Sequence, residues 1–131
     1  MTTSKVPVVL QVWHGTRDTD PRVICTDKAD GFMMQHSRKG MWGRGIYFAA
    51  NAKYSHDYAH QTAEHKTLIL ASLVVGDQIS LPSDSTLRHC PEKPDGDGRY
   101  HTVTGVTNGS QVYVVYENGR AYPEYLITYT D

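Results

Sequence analysis

Apolar residues along the chain fall in short blocks with alternating or continuous patterning, and few stretches carry a helical period. "VPVVLQVW" at 6–13 is β-branched and apolar and predicts a strand that ends at the polar "HGTRDTDP". Residues 21–30 suit a short helix or an irregular segment. "KADGFMMQHSRKGMWGRG" mixes glycine with both charge signs and predicts a loop, after which "GIYFAA" resumes as strand. Residues 52–65 lack Gly and Pro and predict a helix, with Asn51 as its N-cap. "TLILASLVVG" at 67–76 is the most apolar run and predicts a buried strand. The Pro-, Asp- and Gly-rich stretch 77–99 predicts a long loop. "YHTVTGV" and "SQVYVVYENG" predict two further strands. "AYPEYLITYT" closes the chain as another, with "ENG" as the turn of a hairpin. Strands outnumber helices and no regular crossover helices separate them, which favours an antiparallel α+β fold. "GMWGRG" precedes a strand, whereas a dinucleotide-binding glycine turn follows a strand and opens a helix.

Length and charge narrow the function classes. A chain of 131 residues fits one domain over 1–131 and can bury about two thirds of its unfolded surface without staples. A net charge of −1 offers no general attraction to nucleic acid or an anionic membrane. Cys25 and Cys90 stand without CxxC spacing, and "RHC" supplies only His89 and Cys90, so no metal site is expected. The N-terminal "MTTSKVPVVLQVW" lacks a signal-peptide pattern, and nothing approaches a membrane span. The expectation is a soluble intracellular protein, cytoplasmic or nuclear.

Two short stretches concentrate chemistry. In "WHGT" at 13–16, a His before a Gly either presents its imidazole beside bare backbone or is an exposed turn residue. In "GRGIYFAANAKYSHDY" at 43–58, Tyr47 lies on a strand, while Ser55 and Tyr58 stand three apart and share a helix face. The rings are either half-buried core or the walls of a slot for a planar ligand, each stack adding roughly 0.5–1.5 kcal/mol.

"WHGT", "GF" at 31–32, "GRGIYFA" with Ser and Tyr at fixed distance, and "YVVYENGRAYPEYLITY" occur in that order. Together they resemble the ADP-ribosyltransferase catalytic domain of the poly(ADP-ribose) polymerase superfamily, in its diphtheria-toxin-like branch, over about residues 8–130. The resemblance implies two mainly antiparallel sheets forming a split β core with few flanking helices, and NAD as co-substrate without a metal. It implies that His14 bonds a ribose hydroxyl of NAD, that the Gly15 backbone pairs with the nicotinamide carboxamide, and that Thr16 helps hold the adenosine ribose. Tyr47 matches the second member of the family's catalytic triad, Ser55 the serine that bonds the carboxamide, and Tyr58 the tyrosine stacked on the nicotinamide ring. The loop at 30–44 resembles the donor loop, which would bring Arg38, Lys39 and Arg44 near the pyrophosphate.

The third triad position departs from the polymerising pattern. Where those members carry a glutamate, this chain has Val112, with Gln111 one residue away. In a strand 111–116, Val112, Val114 and Tyr116 share one face and Gln111, Tyr113 and Val115 the other, so Gln111 replaces Val112 only through a bulge. Transfer of ADP-ribose passes through an oxocarbenium-like state, as glycoside hydrolysis does, and one preorganised charge there is worth about a hundred- to a thousandfold in rate. The implied activity is a mono-ADP-ribosyltransferase that attaches one ADP-ribose without polymer, resembling the family's His-Tyr-aliphatic members. The alternative is an inactive NAD- or ADP-ribose-binding module. The expected acceptor is a protein side chain, with nucleic acid left open and no membrane partner. No helical regulatory domain is expected before the catalytic motifs.

Overall fold

A computed structural model describes residues 9–25, 32, 34, 37–96, 98–107 and 109–130, excepting the side chain of Arg38. Its strands are β1 (Val9–His14), β2 (Arg38–Gly40), β3 (Gly43–Ala49), β4 (His60–Gln61), β5 (Lys66–Val74), β6 (Gln78–Ser80), β7 (Thr102–Thr107), β8 (Ser110–Val115) and β9 (Ala121–Tyr129). Two one-turn helices, α1 (Pro21–Cys25) and α2 (Ala52–His56), lie between them. The strands connect in the order β4-β5-β1-β3-β8-β7-β6, with β2 added to β3 and β9 to β5. All pairings are antiparallel except β6 with β7. The α+β expectation holds.

The split in the β core falls between β1 and β3, whose register rests on Trp13 and Ala49 alone. On one side β1 runs against β5 from Val9–Val74 to His14–Ile69. On the other, β3 runs against β8 from Ile46–Val115 to Ala49–Val112. Period-two alternation then sorts the strands' side chains between two cores. Ile46 and Phe48 of β3 join Tyr113 and Val115 of β8, together with Val12, Ile69 and Leu73. Tyr47 and Ala49 join Val112, Val114 and Tyr116 on the opposite face, around the buried Trp42. β3 is therefore apolar on both faces.

Several elements differ from the sequence reading. The strand predicted at 6–13 is seen from Val9 to His14, its first residues lying outside the described ones, as do 26–30 of the segment predicted at 21–30. The helix predicted over 52–65 ends after one turn. The Tyr58 carbonyl accepts from the Arg17 N–H at 2.8 Å, and the Thr62 N–H bonds the His65 carbonyl at 2.8 Å. These contacts bend 60–66 into a small hairpin pairing His60 with Thr67, and tertiary partners override helix propensity. Asn51 does cap α2, accepting from the Tyr54 N–H at 3.3 Å. The loop predicted across 28–45 contains β2, which folds back on β3, and the loop predicted at 77–99 begins with β6. The expected β8–β9 hairpin does not form. Both edges of β8 are taken, by β3 and β7, so after the turn at "ENG" the chain crosses to the open edge of β5.

Candidate active site

His14 ends β1 at the seam. Its Nδ1 lies 2.6 Å from the Tyr47 carbonyl; because a carbonyl only accepts, Nδ1 carries a proton. The imidazole is buried beside a touching pair of phenyl rings, edge-on to Phe32 at 5.1 Å and tilted against Phe48 at 5.3 Å, with the two phenyl rings 5.0 Å apart. Sequence placed this histidine at a strand end; the Phe32–Phe48 pair and the Tyr47 carbonyl fix its ring.

Tyr47 is held as firmly. Its hydroxyl donates to the Gly43 carbonyl at 2.6 Å and accepts from the Trp42 N–H at 2.9 Å, tying the β2–β3 turn to the strand. Trp42 is itself anchored by its indole N–H on the Leu81 carbonyl at 3.1 Å and by the Tyr116 hydroxyl on its own carbonyl at 2.6 Å. Burial pushes the Tyr116 phenol far above its usual range, so it stays a donor. With its hydroxyl consumed inside the turn, Tyr47 offers ring surface to the cleft rather than a proton.

The third wall comes from α2 and the turn after it. Ser55 is buried in the helix with its Oγ donating to the Trp13 carbonyl at 3.1 Å. The Tyr58 N–H bonds the Ser55 carbonyl at 2.9 Å, so Tyr58 follows one tight turn later and stands half-exposed. Gly15 sits against this turn. A Cβ there would lie 2.4 Å from the Tyr58 carbonyl oxygen and 2.8 Å from that of Ser55. Only glycine lets the strand end approach the helix this closely.

Two adjoining cavities result. One of about 200 Å³ is bordered by His14, Gly15, Thr16, Ser37 and Tyr47. The other, about 190 Å³, is bordered by Lys39, Gly40, Met41, Tyr54, Tyr58 and again Tyr47. Arg17 borders both. Thr16 donates its hydroxyl hydrogen to the Thr19 carbonyl at 2.7 Å, leaving its oxygen lone pairs as acceptors. Lys39 and Arg44 are exposed, Arg44 reaching the Ser37 carbonyl at 3.5 Å; only Lys39 borders either cavity. The Arg38 side chain lies outside the described residues.

Two residues stand apart from this cleft. Ser55 borders neither cavity, and its hydroxyl is taken up by the Trp13 carbonyl. Val112 is fully buried opposite Ala49, in the core cluster behind Tyr47, and borders neither cavity. Gln111 points away from it and bonds the Thr104 hydroxyl at 3.1 Å. Two cleft residues were not legible in the sequence. Ser37 carries a buried hydroxyl with no hydrogen-bond partner among the described residues, and Arg17 stacks on Tyr58 with Cζ 4.5 Å from the ring centroid. Neither belongs to a recognisable motif.

Among the described residues, no three His, Cys, Asp or Glu side chains cluster as a metal site, and no helix is long and apolar enough to cross a membrane.

The chain matches the family model described as "Poly(ADP-ribose) polymerase catalytic domain" over residues 5–131. It is 32% identical over 121 residues to a Dictyostelium discoideum protein named "Probable poly(ADP-ribose) polymerase", covering 90% of this chain and 33% of that protein. It is 30% identical over 120 residues to mouse "Protein mono-ADP-ribosyltransferase PARP12", covering 92% of this chain and 17% of the relative. Mouse "Protein mono-ADP-ribosyltransferase PARP11" is 26% identical over 140 residues, with 90% of this chain and 41% of the relative covered. The chain thus spans well under half the length of these relatives.

Proposed function

The chain belongs to the poly(ADP-ribose) polymerase catalytic-domain family, and within it we propose a mono-ADP-ribosyltransferase that cleaves NAD and passes one ADP-ribose to an acceptor. The observation that carries this reading is the pair of adjoining cavities sharing Tyr47, one edged by His14 and Gly15 and the other by Tyr58. A dinucleotide has two ends of different chemistry, and the two cavities differ in the same way.

The residues present fit such a ligand. In the cavity edged by His14, the imidazole bonds a ribose hydroxyl while the Tyr47 carbonyl holds the ring through Nδ1. The Ser37 hydroxyl, orphaned and buried, gains a partner from the same sugar. In the second cavity the nicotinamide ring stacks on Tyr58, and the Gly15 backbone reaches its carboxamide from the adjoining first cavity. Ser55, which borders neither cavity, holds α2 against β1 by donating to the Trp13 carbonyl. Holding the ring and both sugars fixed places the nicotinamide–ribose bond for dissociation, and closing water out strengthens every dipole around it.

Val112 supports the restriction to a single transfer. It supplies no carboxylate and lies in the core rather than in either cavity, so nothing at that position activates a sugar hydroxyl for chain growth. The acceptor then brings its own base, which favours a protein side chain. The same residue carries the second reading, an NAD-binding module without turnover. Incubation with labelled NAD and a protein acceptor, followed by separation of single adducts from polymer, tests the proposal. Single adducts support it; a ladder of long products, or bound NAD that is never cleaved, overturns it.

A further inference from the structure

Among the described residues Arg17 is the one cation in contact with both cavities at once, and its side chain lies where the flat ligand of the proposed function would stack. We propose that the Arg17 guanidinium occupies the Tyr58 face while the cleft is empty, standing in for the pyridinium ring of NAD, and swings to the pyrophosphate when the dinucleotide enters. This rests on reading Tyr58 as the stacking ring.

The chemistry of exchange is close to symmetrical. A guanidinium and a nicotinamide ring bound in NAD are both planar, delocalised monocations, and the negative face of a phenol attracts each. One face cannot hold both. The Arg17 Cζ lies 4.5 Å from the Tyr58 centroid, inside the range for such a contact, and both residues border the same cavity, so a ring stacking on the face that Arg17 covers requires the guanidinium to leave.

The backbone confines that movement to the side chain. The Arg17 N–H donates to the Tyr58 carbonyl at 2.8 Å, and the Arg17 carbonyl accepts from His60 Nδ1 at 2.6 Å. The residue sits at φ 51°, the only non-glycine residue with positive φ among the described ones. A left-handed arginine is strained, and both of its backbone groups are tied to the 58–60 segment. The tether keeps the guanidinium within reach of Tyr58 and of the neighbouring cavity. Arg17 is exposed to solvent, so moving its head costs little packing.

A functional asymmetry follows. Free nicotinamide, the leaving product, displaces the guanidinium and gives nothing back. NAD and ADP-ribose carry a pyrophosphate, which repays the displaced cation with charge-assisted hydrogen bonds. Arg17 is in this sense a positioning and specificity residue: it weakens retention of the leaving group and favours phosphate-bearing ligands.

The test uses Arg17→Asn, which tolerates positive φ but is too short to reach the ring, with Arg17→Gly as a second variant suited to the same backbone. Calorimetry is run with nicotinamide and with ADP-ribose on the wild-type chain, both variants and Tyr58→Ala, each checked for cooperative unfolding. The expected result is a rise of about two- to fivefold in nicotinamide affinity in Arg17→Asn. ADP-ribose affinity falls about tenfold, a loss that shrinks as salt is raised. Unchanged or weaker nicotinamide binding in both folded Arg17 variants, with wild-type binding that Tyr58→Ala weakens, overturns the role of Arg17 and leaves the proposed cleft standing. A folded wild-type chain that binds neither ligand, or a Tyr58→Ala variant that binds nicotinamide as well as wild type, overturns both.

Discussion

The imidazole of His14 bonds the backbone carbonyl of Tyr47 at 2.6 Å across the seam where β1 leaves β3. The strand ladder there rests on Trp13 and Ala49, and the side chain of the next residue on β1 takes up a carbonyl from β3. One residue thus closes the split in the sheet and borders the cleft. Stability and ligand binding are coupled at this point, which shapes how its variants behave.

His14→Ala strands the buried Tyr47 carbonyl and leaves a gap beside the Phe32–Phe48 ring pair. The expected loss is about 1–3 kcal/mol of stability for the unpaired group, with further loss from the gap. Denaturant unfolding measures the first effect and ADP-ribose calorimetry the binding loss. His14→Gln, which keeps a donor, recovers part of the stability while binding stays weak.

Tyr58→Ala removes a stacking face and weakens nicotinamide binding by about two- to tenfold, while Tyr58→Phe keeps the face and binds within twofold of wild type. Calorimetry separates the two variants. Equal losses in both would assign the effect to the hydroxyl rather than the ring.

Gly105→Ala places a Cβ 2.1 Å from the Trp42 ring. Overpacking of a buried tryptophan is expected to cost about 1–3 kcal/mol. Because the Trp42 N–H holds the Tyr47 hydroxyl at 2.9 Å, the shift carries into the cleft. Thermal unfolding and nicotinamide calorimetry should both respond, although Gly105 borders neither cavity.

Val112→Glu buries a carboxylate at a fully enclosed position beside Trp42 and Tyr47. The expected outcome is a marked loss of stability, on the order of 2 kcal/mol or more, rather than polymer synthesis. A stably folded variant that makes polymer would contradict the position given to Val112.

Burial raises the Cys90 thiol to about 11, with Glu117 adding to the rise. In the unfolded chain the same thiol ionises near 9. Native protein binds more protons between those values, so this contribution to stability is complete below about pH 9 and lost as the pH rises through about 11. Unfolding midpoints measured from pH 8 to 11 should fall, and fall less in Cys90→Ala if that variant's cavity leaves it folded. Cys90 should also resist alkylation at pH 8 until the chain unfolds.

Much of the fold around this site could be read from residue types and spacing, for identifiable reasons. Alternation in "SQVYVVY" put Val112, Val114 and Tyr116 on one face, and the core shares them as expected. Asn51 announced the start of α2. What stayed hidden depends on distant partners. The three-residue strands β2 and β6 gain their identity from pairing, not from propensity. The helix expected to reach residue 65 stops because Arg17 and His65 claim its backbone. The partner of β9 follows from the occupied edges of β8, which no local pattern encodes. Arg17 and Ser37 are ordinary polar residues in sequence, and only their positions beside Tyr58 and in the His14 cavity give them chemical meaning.

The account turns on NAD being cleaved in the cleft between His14 and Tyr58. The most direct measurement is nicotinamide release from NAD by the wild-type chain, with folded His14→Ala and Tyr58→Ala variants alongside. Release by wild type that falls at least tenfold in both variants is the predicted result. No release by folded wild type, or release at the wild-type rate in both variants, would contradict it.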